Sequence, residues 1–411
     1  MKILFAFENP LPSPEADAEV FITTARHLSA HLEGCALHVP AAPNQDLAAI
    51  EQLAGMPVVR ARAPVKPAAL RHIACGLTLP FRRAFREADL IYTRNLWIAW
   101  MSVLLGQRVV FDHYRPWPDQ IPPLQFLIYR LLGNRRFIVN ICHSDYTASI
   151  YAALGVPKEK LVCIHNGYDP SRVAKPMPVA VAKRAIGLDP STPTVVYTGR
   201  VNHKKGLELV VEAAKAMPDV HFLFVGSYGD GPIERLAAAV PNVHVIGWQS
   251  PQALAPYIFA ADALLIPPSQ KPLSQFGSTV LPLKLFLYLA AGRPIVAGQT
   301  PDIRELLEHG RNAWLCPPDD AGALVDALRA VLSDPALAAR ISAEAQRDSE
   351  ALTWSARATR IAATIAARLE APVARGRWGG EQFRNWRRQS QRWLSHLVRT
   401  RSWVLPPQDA C

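Results

Sequence analysis

With 411 residues, half of them hydrophobic and 19% charged, the chain is too apolar to stay disordered and about twice the length of one ordinary domain. Its net charge of +11 is largely local. Residues 371–411 hold eight arginines against only Glu381 and Asp409, so +6 sits there and +5 on the first 370 residues, which argues against a nucleic-acid-binding body. Six cysteines without a C-x-x-C pair argue for reduced thiols in a reducing compartment.

The opening MKILFAFENP has one lysine, a short apolar run and then Glu8, the pattern of a first β-strand and not of a secretory signal. Further strands are expected at 90–92, 108–111, 137–142 and 161–165, after the first at 3–7. A second series is expected at 194–198, 221–225, 243–245, 263–266, 294–297 and 313–315. Short apolar runs with helical patterns between them imply parallel sheets covered on both faces. The stretch 169–193 carries five prolines and reads as an interdomain linker. The expected organisation is a first domain over 1–168, this linker, and a second domain over 194–353. A closing helix at 354–370 and a basic Trp/Arg-rich tail at 371–411 follow. The fold class is α/β, two Rossmann-like domains facing a cleft, in which ligands bind beyond the carboxyl ends of the strands. The longest apolar run, 96–106, falls short of the roughly 20 residues that span a bilayer. A cytoplasmic protein, soluble or peripheral on the inner membrane face, is expected.

The most informative passage is VVYTGRVNHKKGLE, 195–208. A buried strand ends in Thr198-Gly199, a basic loop follows, and then a helix. Gly199 lets a ligand approach the backbone, Arg200 offers a planar fork and Lys205 a mobile point charge. Together these suit a diphosphate whose charge rises as a phosphate leaves; an ordinary solvated basic loop remains the alternative. After the next strand, VGSYGDG (225–231) supplies Gly226 and Gly229, a turn that admits a nucleotide without matching G-x-G-x-x-G. Gly247-Trp248 offers backbone groups and an aromatic face, or simply a core aromatic.

In order, TGR-x4-KG, VG-x2-G-x-G, NVHVIGW, AADALLIPPS and LAAGRPIVA resemble the carboxyl half of the family 4 retaining glycosyltransferases, which have the two-Rossmann GT-B fold. ADLIYTRN, VVFDHYRPWPD and HSDYTASIYAALGVPKEKLVCIHNGYD resemble that family's amino half, and the match runs from about 85 to 370. The resemblance implies that Arg200 and Lys205 hold the donor diphosphate and that His113 lies near the transferred sugar. It matches Asn166-Gly167 to an interdomain turn, and Lys284 to a lysine of a PLK-x2-Glu-Tyr family variant. It implies a nucleotide-sugar donor, no metal or other cofactor, and a glycan or glycolipid acceptor. Retention would rest on phosphate stabilisation, with the donor's own oxygen as base.

The chain departs from that family at its paired glutamates. The corresponding positions are Thr279 and Leu287, or Ser274 and Pro282, and no Asp or Glu occurs between Asp262 and Asp302. A leucine cannot accept ribose hydroxyls, and unpaired donors in a closed site are costly. Two expectations follow: a hexosyltransferase of surface polysaccharide or lipopolysaccharide synthesis, or a non-catalytic relative serving as a binding or assembly subunit. A sugar-nucleotide epimerase would meet the same acidic gap. In the amino half, 96–105 and 121–132 read as buried helices, with a membrane-facing patch for a lipid-linked acceptor as the alternative. In the tail, Trp386, Trp393 and Leu397 share one helical face among arginines. That suits an anionic membrane surface, with packing on its own domains or nucleic-acid stacking as the other readings.

Overall fold

The computed structural model describes residues 1–13, 15–113, 122–274, 281–371 and 380–400, apart from the side chains of 113, 273–274 and 381–382. The chain divides into two compact units. One comprises residues 1–166 with the described chain from Trp354 onward; the other comprises 167–353.

The first unit is built on seven strands: β1 (Lys2–Ala6), β2 (Gly34–Pro40), β3 (Val58–Ala61), β4 (Leu90–Thr93), β5 (Arg108–His113), β6 (Phe137–Cys142) and β7 (Leu161–Cys163). All pair in parallel, in the order β3-β2-β1-β4-β5-β6-β7. The order reverses at β1/β4, where a doubly wound sheet opens its crevice. Alternation along β1 splits the core in two: Ile3 and Phe5 join the apolar cluster on one face, Leu4 and Ala6 the cluster on the other.

The second unit has β8 (Thr194–Thr198), β9 (His221–Ser227), β10 (Val243–Gly247), β11 (Ala263–Ile266), β12 (Ile295–Gly298) and β13 (Trp314–Cys316). These are parallel in the order β10-β9-β8-β11-β12-β13. Here the reversal falls at β8/β11, so the turns after β8 and β9 occupy the ligand-binding edge of the sheet.

Three expectations need correction. The helix Trp354–Glu370 does not close the second domain. Its Ala358, Ile361 and Ile365, one face at helical spacing, are buried in the first unit's core with Phe21, Ile22 and Val139. The stretch 169–193 is no bare linker: it holds the helix Val179–Ala185 and packs Val173 and Ile186 on the second unit. Its Lys183, 2% exposed, reaches Asp262 Oδ2 at 2.6 Å and the Thr192 carbonyl at 2.7 Å. In the tail, the face of Trp386, Trp393 and Leu397 lies inward on the helix Gly380–Thr400, with Trp393 8% exposed and Gln389 bonded to Gln125 of the first unit. Packing on its own domain covers that face.

Of the apolar helix Leu96–Leu104, Leu96, Ile98, Ala99 and Val103 are buried while Trp97 and Leu104 are exposed. Among the described residues, no helix is long and apolar enough to cross a membrane, and the described cysteines are all free thiols.

Candidate functional site

The second unit's site is built on the end of β8. The Thr198 backbone N–H donates to Tyr288 Oη at 2.8 Å, and its hydroxyl lies 3.0 Å from the same phenol. Tyr288 follows Lys284 by one turn in the helix Leu283–Ala290, so the same anchor carries Lys284 to this end of the sheet. Gly199 (φ +120°) and Gly226 (φ +123°) then turn the two adjacent chains. A Cβ on Gly226 would stand 2.6 Å from the Gly199 carbonyl oxygen, so the turns approach this closely only because Gly226 lacks a side chain.

Three cations surround these turns. The Arg200 guanidinium lies 5.3 Å from the centre of the Tyr228 ring. Lys284 Nζ lies 3.4 Å from the centre of the Tyr197 ring, and a Cβ on Gly199 would be 3.2 Å from it. Lys205 ends the short turn His203–Lys205. Burial, then the Lys205 charge, holds the Lys284 ammonium well below the ordinary lysine value. Lys205 is surface-exposed by area, yet its ammonium is crowded enough that desolvation, then Arg200 and Lys204, lowers it too. Mutually repelling, partly desolvated cations are relieved by an anion, and a diphosphate has the charge to do so.

The structure therefore brings Gly199, Arg200, Lys205, Gly226 and Lys284 together. At Gly229 and Gly247 a Cβ would meet no heavy atom within 4 Å, which leaves open space beside both. Trp248 is 58% and Tyr228 60% exposed, so a core role for Trp248 is ruled out. At the paired-glutamate positions, Leu287 is 6% exposed within the apolar core, Pro282 precedes the helix, Ser274 ends the helix Lys271–Ser274, and Thr279 lies outside the described residues.

In the first unit, His113 ends β5 opposite Cys142 of β6; its side chain lies outside the described residues. Beside it stands a cluster the sequence reading missed. Asp112, fully buried, is met by Tyr92 Oη at 2.6 Å, His143 Nε2 at 2.5 Å and Arg357 Nη2 at 3.0 Å. A carboxylate inside the apolar run VVFDH was the available signal, since a buried charge requires a partner.

Two family models match: "Glycosyl transferases group 1" over residues 192–334 and "Glycosyltransferase Family 4" over 18–172. The chain is 26% identical over 235 residues to the putative colanic acid biosynthesis glycosyltransferase WcaL of Escherichia coli, covering 55% of this chain and 52% of that protein. It is 30% identical over 174 residues to the putative teichuronic acid biosynthesis glycosyltransferase TuaH of Bacillus subtilis, covering 40% and 41%. Matches of this kind span about half the length of these curated relatives or less. Among solved structures, Anabaena HepE in complex with UDP and glucose superposes with a TM-score of 0.70 at 19% identity, over 89% of this chain and all of that one. Sucrose-phosphate synthase from Thermosynechococcus elongatus gives 0.73 at 18% identity, over 90% and 100%. The fold is GT-B, and with both halves matched in order the chain belongs to the group 1, family 4 glycosyltransferases.

Proposed function

We propose that this chain transfers a hexose, with retention, from a nucleotide-diphosphate sugar to a hydroxyl of a glycan or glycolipid in cell-surface polysaccharide or lipopolysaccharide synthesis. The observation that carries this reading is the cation cluster of Arg200, Lys205 and Lys284 at the glycine turns ending β8 and β9. As the glycosidic bond breaks, negative charge accumulates on the departing diphosphate, and preorganised cations lower that barrier most. Arg200 and Lys205 neutralise the leaving group, with Lys284 behind them. Gly199 and Gly226 admit it, Gly229 and Gly247 leave room for the nucleoside, and His113 works from the acceptor side. The charge is met by side chains alone, without a metal ion, and turnover persists in EDTA. Relatives named for colanic and teichuronic acid biosynthesis support the polysaccharide assignment, and a structural neighbour holding UDP-glucose supports the donor class.

The test is donor turnover across UDP-, GDP- and ADP-hexoses with membrane lipid extract as acceptor. The Arg200→Ala, Lys205→Ala double variant is expected to lose it by about a thousandfold; unchanged turnover would defeat the assignment.

Work at the inner membrane face belongs to the same reading. On the helix Gly380–Thr400, Phe383, Leu394 and Val398 are 52%, 53% and 79% exposed and share one stripe, flanked by Arg384, Arg387, Arg388, Arg392 and Arg399. An exposed apolar stripe beside arginines suits anionic lipid. Flotation with phosphatidylglycerol vesicles, but not with phosphatidylcholine, is expected and is lost in Leu394→Ser, Val398→Ser.

The non-catalytic alternative rests on the absence of any Asp or Glu between Asp262 and Asp302, which leaves Leu287 or Pro282 at the position the resemblance gives to a carboxylate. Calorimetry with UDP, GDP and ADP separates the readings: nucleotide binding without sugar turnover by any donor favours the assembly subunit.

A further inference from the structure

The first unit holds a second carboxylate that nothing above employs. Glu8 follows β1 at the carboxyl edge of the sheet, beside the β1/β4 reversal. There Phe7 N–H donates to the His38 carbonyl at 3.0 Å, and Thr93 Oγ1 ties β4 to the Ala6 carbonyl at 2.8 Å. Of the cations nearby, Arg71 is committed to the backbone and to Asn9, and Arg94 sends one Nη to the backbone while its Nε, like Glu8 Oε2, is buried without a hydrogen-bond partner. Arg71 Nε donates to the Glu8 carbonyl at 3.0 Å, its Nη1 to the Val65 carbonyl, and its Nη2 to Asn9 Oδ1 at 2.7 Å. Arg94 Nη1 donates to the Asp17 carbonyl at 2.6 Å. Asn9 Nδ2 in turn donates to Asp17 Oδ2 at 3.1 Å. The loop is thus clamped from the helices Ala16–Ser29 and Ala68–Thr78 and from the end of β4, while Glu8 is 8% exposed and its Oε2 is buried without a hydrogen-bond partner.

A buried carboxylate oxygen that accepts no hydrogen bond is costly. Its position, at the crevice edge of a doubly wound sheet, is where a ligand supplies the missing donor. In glycosyl transfer the acceptor's reacting and neighbouring groups are hydroxyls, which donate. Resting on the function proposed above, we infer that Glu8 is an acceptor-binding carboxylate of the first unit, its Oε2 taking a hydrogen bond from a hydroxyl of the acceptor glycan.

Burial pushes the Glu8 carboxyl up to about 7, against the pull of Arg94, with Asp17 adding to the rise and Arg71 opposing it. The other titratable neighbours are His72, held down by burial, and the Cys75 thiol, pushed up to about 12. Among the described neighbours, Glu8 is thus the group brought to titrate near neutral pH. The anionic form accepts the stronger hydrogen bond, so acceptor affinity should rise with pH through neutrality.

The experiment uses the full chain, with a radiolabelled nucleotide-hexose donor and membrane lipid extract as acceptor. Glu8→Gln and Glu8→Ala are expected to lower transfer efficiency toward the acceptor about tenfold to a hundredfold, mostly through KM. At pH 7.5 UDP affinity by calorimetry stays at the wild-type level and thermal stability is not lowered, and the rise in acceptor affinity between pH 6 and 8 disappears in Glu8→Gln. Wild-type transfer by Glu8→Gln overturns the inference, as does a variant that loses UDP binding and melts several degrees lower, which marks a structural strut. Wild-type protein that neither binds UDP, GDP or ADP nor transfers from any donor fails differently: it removes the proposed function first, and the role of Glu8 with it.

Discussion

Arg357 reaches Asp112 from 245 residues away in sequence and donates Nη2 to both of its carboxylate oxygens at 3.0 Å. The same guanidinium donates to the Ile164 and His165 carbonyls, so one side chain pins the helix Trp354–Glu370 to the ends of β5 and β7. Burial alone would raise the Asp112 carboxyl, but the charge of Arg357, then His143, outweighs it and holds the carboxyl far below the usual range. Removing one partner of such a pair leaves a bare buried charge. Arg357→Met is therefore expected to cost about 3–5 kcal/mol, a fall on the order of 10 °C in melting temperature. Adding Asp112→Asn should recover much of that loss. Thermal unfolding of the two single variants and the double variant measures the coupling, and additive losses would show that the pair contributes nothing as a pair.

The path of this helix shows how far the sequence could be read. Strands at 137–142, 194–198 and 263–266 are as expected, because buried parallel strands are continuous apolar runs. The second and third strands of the first sheet were missed. GCALHVP carries a glycine, a histidine and a proline, and VVRA is a four-residue edge strand, so neither has the apolar continuity of a central strand. The helix at 354–370 and the face of the tail helix were legible from their pattern; their partners were not, since periodicity does not name what buries a helix. The turn after β8 was legible because Gly199, Arg200 and Lys205 lie close together in sequence, whereas Lys284, which joins them, comes from a distant helix. The Asp112 cluster and the Glu8 edge were not legible, because Arg357, Arg71 and Arg94 reach them from distant elements.

Gly226 and Gly247 separate packing from ligand approach. An alanine methyl at Gly226 would meet the Gly199 backbone at 2.6 Å and 2.9 Å, which cannot yield without opening the turn. Gly226→Ala is expected to lower both stability, by roughly 1–3 kcal/mol, and UDP affinity. At Gly247 the same methyl meets open space. Gly247→Ala should melt within about 1 °C of the parent, yet bind UDP about tenfold more weakly if the nucleoside passes there. Unchanged affinity would remove Gly247 from the donor site.

Acid should destabilise the first unit before ordinary carboxylates titrate. Burial holds His38 and His143 down at about 4, against 6.5 in the unfolded chain. Between these values the unfolded state binds protons that the folded state refuses, so stability falls as pH drops from 6.5 to 4. Each histidine contributes on the order of 3 kcal/mol across the whole window. Glu8 works the other way: raised to about 7, its folded form gains a proton first, and stability rises as pH drops from 7 to 4.5. Two histidines against one carboxyl leave a net loss. Melting temperatures at pH 7.5, 6 and 5 should decline, and Glu8→Gln, which removes the opposing contribution, should steepen the decline. A flat profile in both proteins would contradict the buried neutral state of the histidines.

In the proposed donor site, Lys284 is expected to make donor binding a proton-linked event. Its ammonium lies against Tyr197, with burial, then Lys205, holding it well below the ordinary lysine value, so it loses its proton at lower pH than an ordinary lysine. A bound diphosphate supplies the opposite charge and raises that value, so the complex takes up a proton on forming. The sign follows directly: UDP affinity falls as pH rises through the free-state value of Lys284, and more steeply than Arg200 alone would produce, because a guanidinium does not titrate there. Calorimetry of UDP binding in two buffers of different ionisation enthalpy measures the proton uptake. It should be positive on the alkaline side, below the ordinary lysine value, and smaller in Lys284→Met, which binds UDP about tenfold more weakly at pH 7. Zero uptake in the parent would mean that the diphosphate never reaches the Lys284 ammonium, leaving Arg200 and Lys205 as its holders.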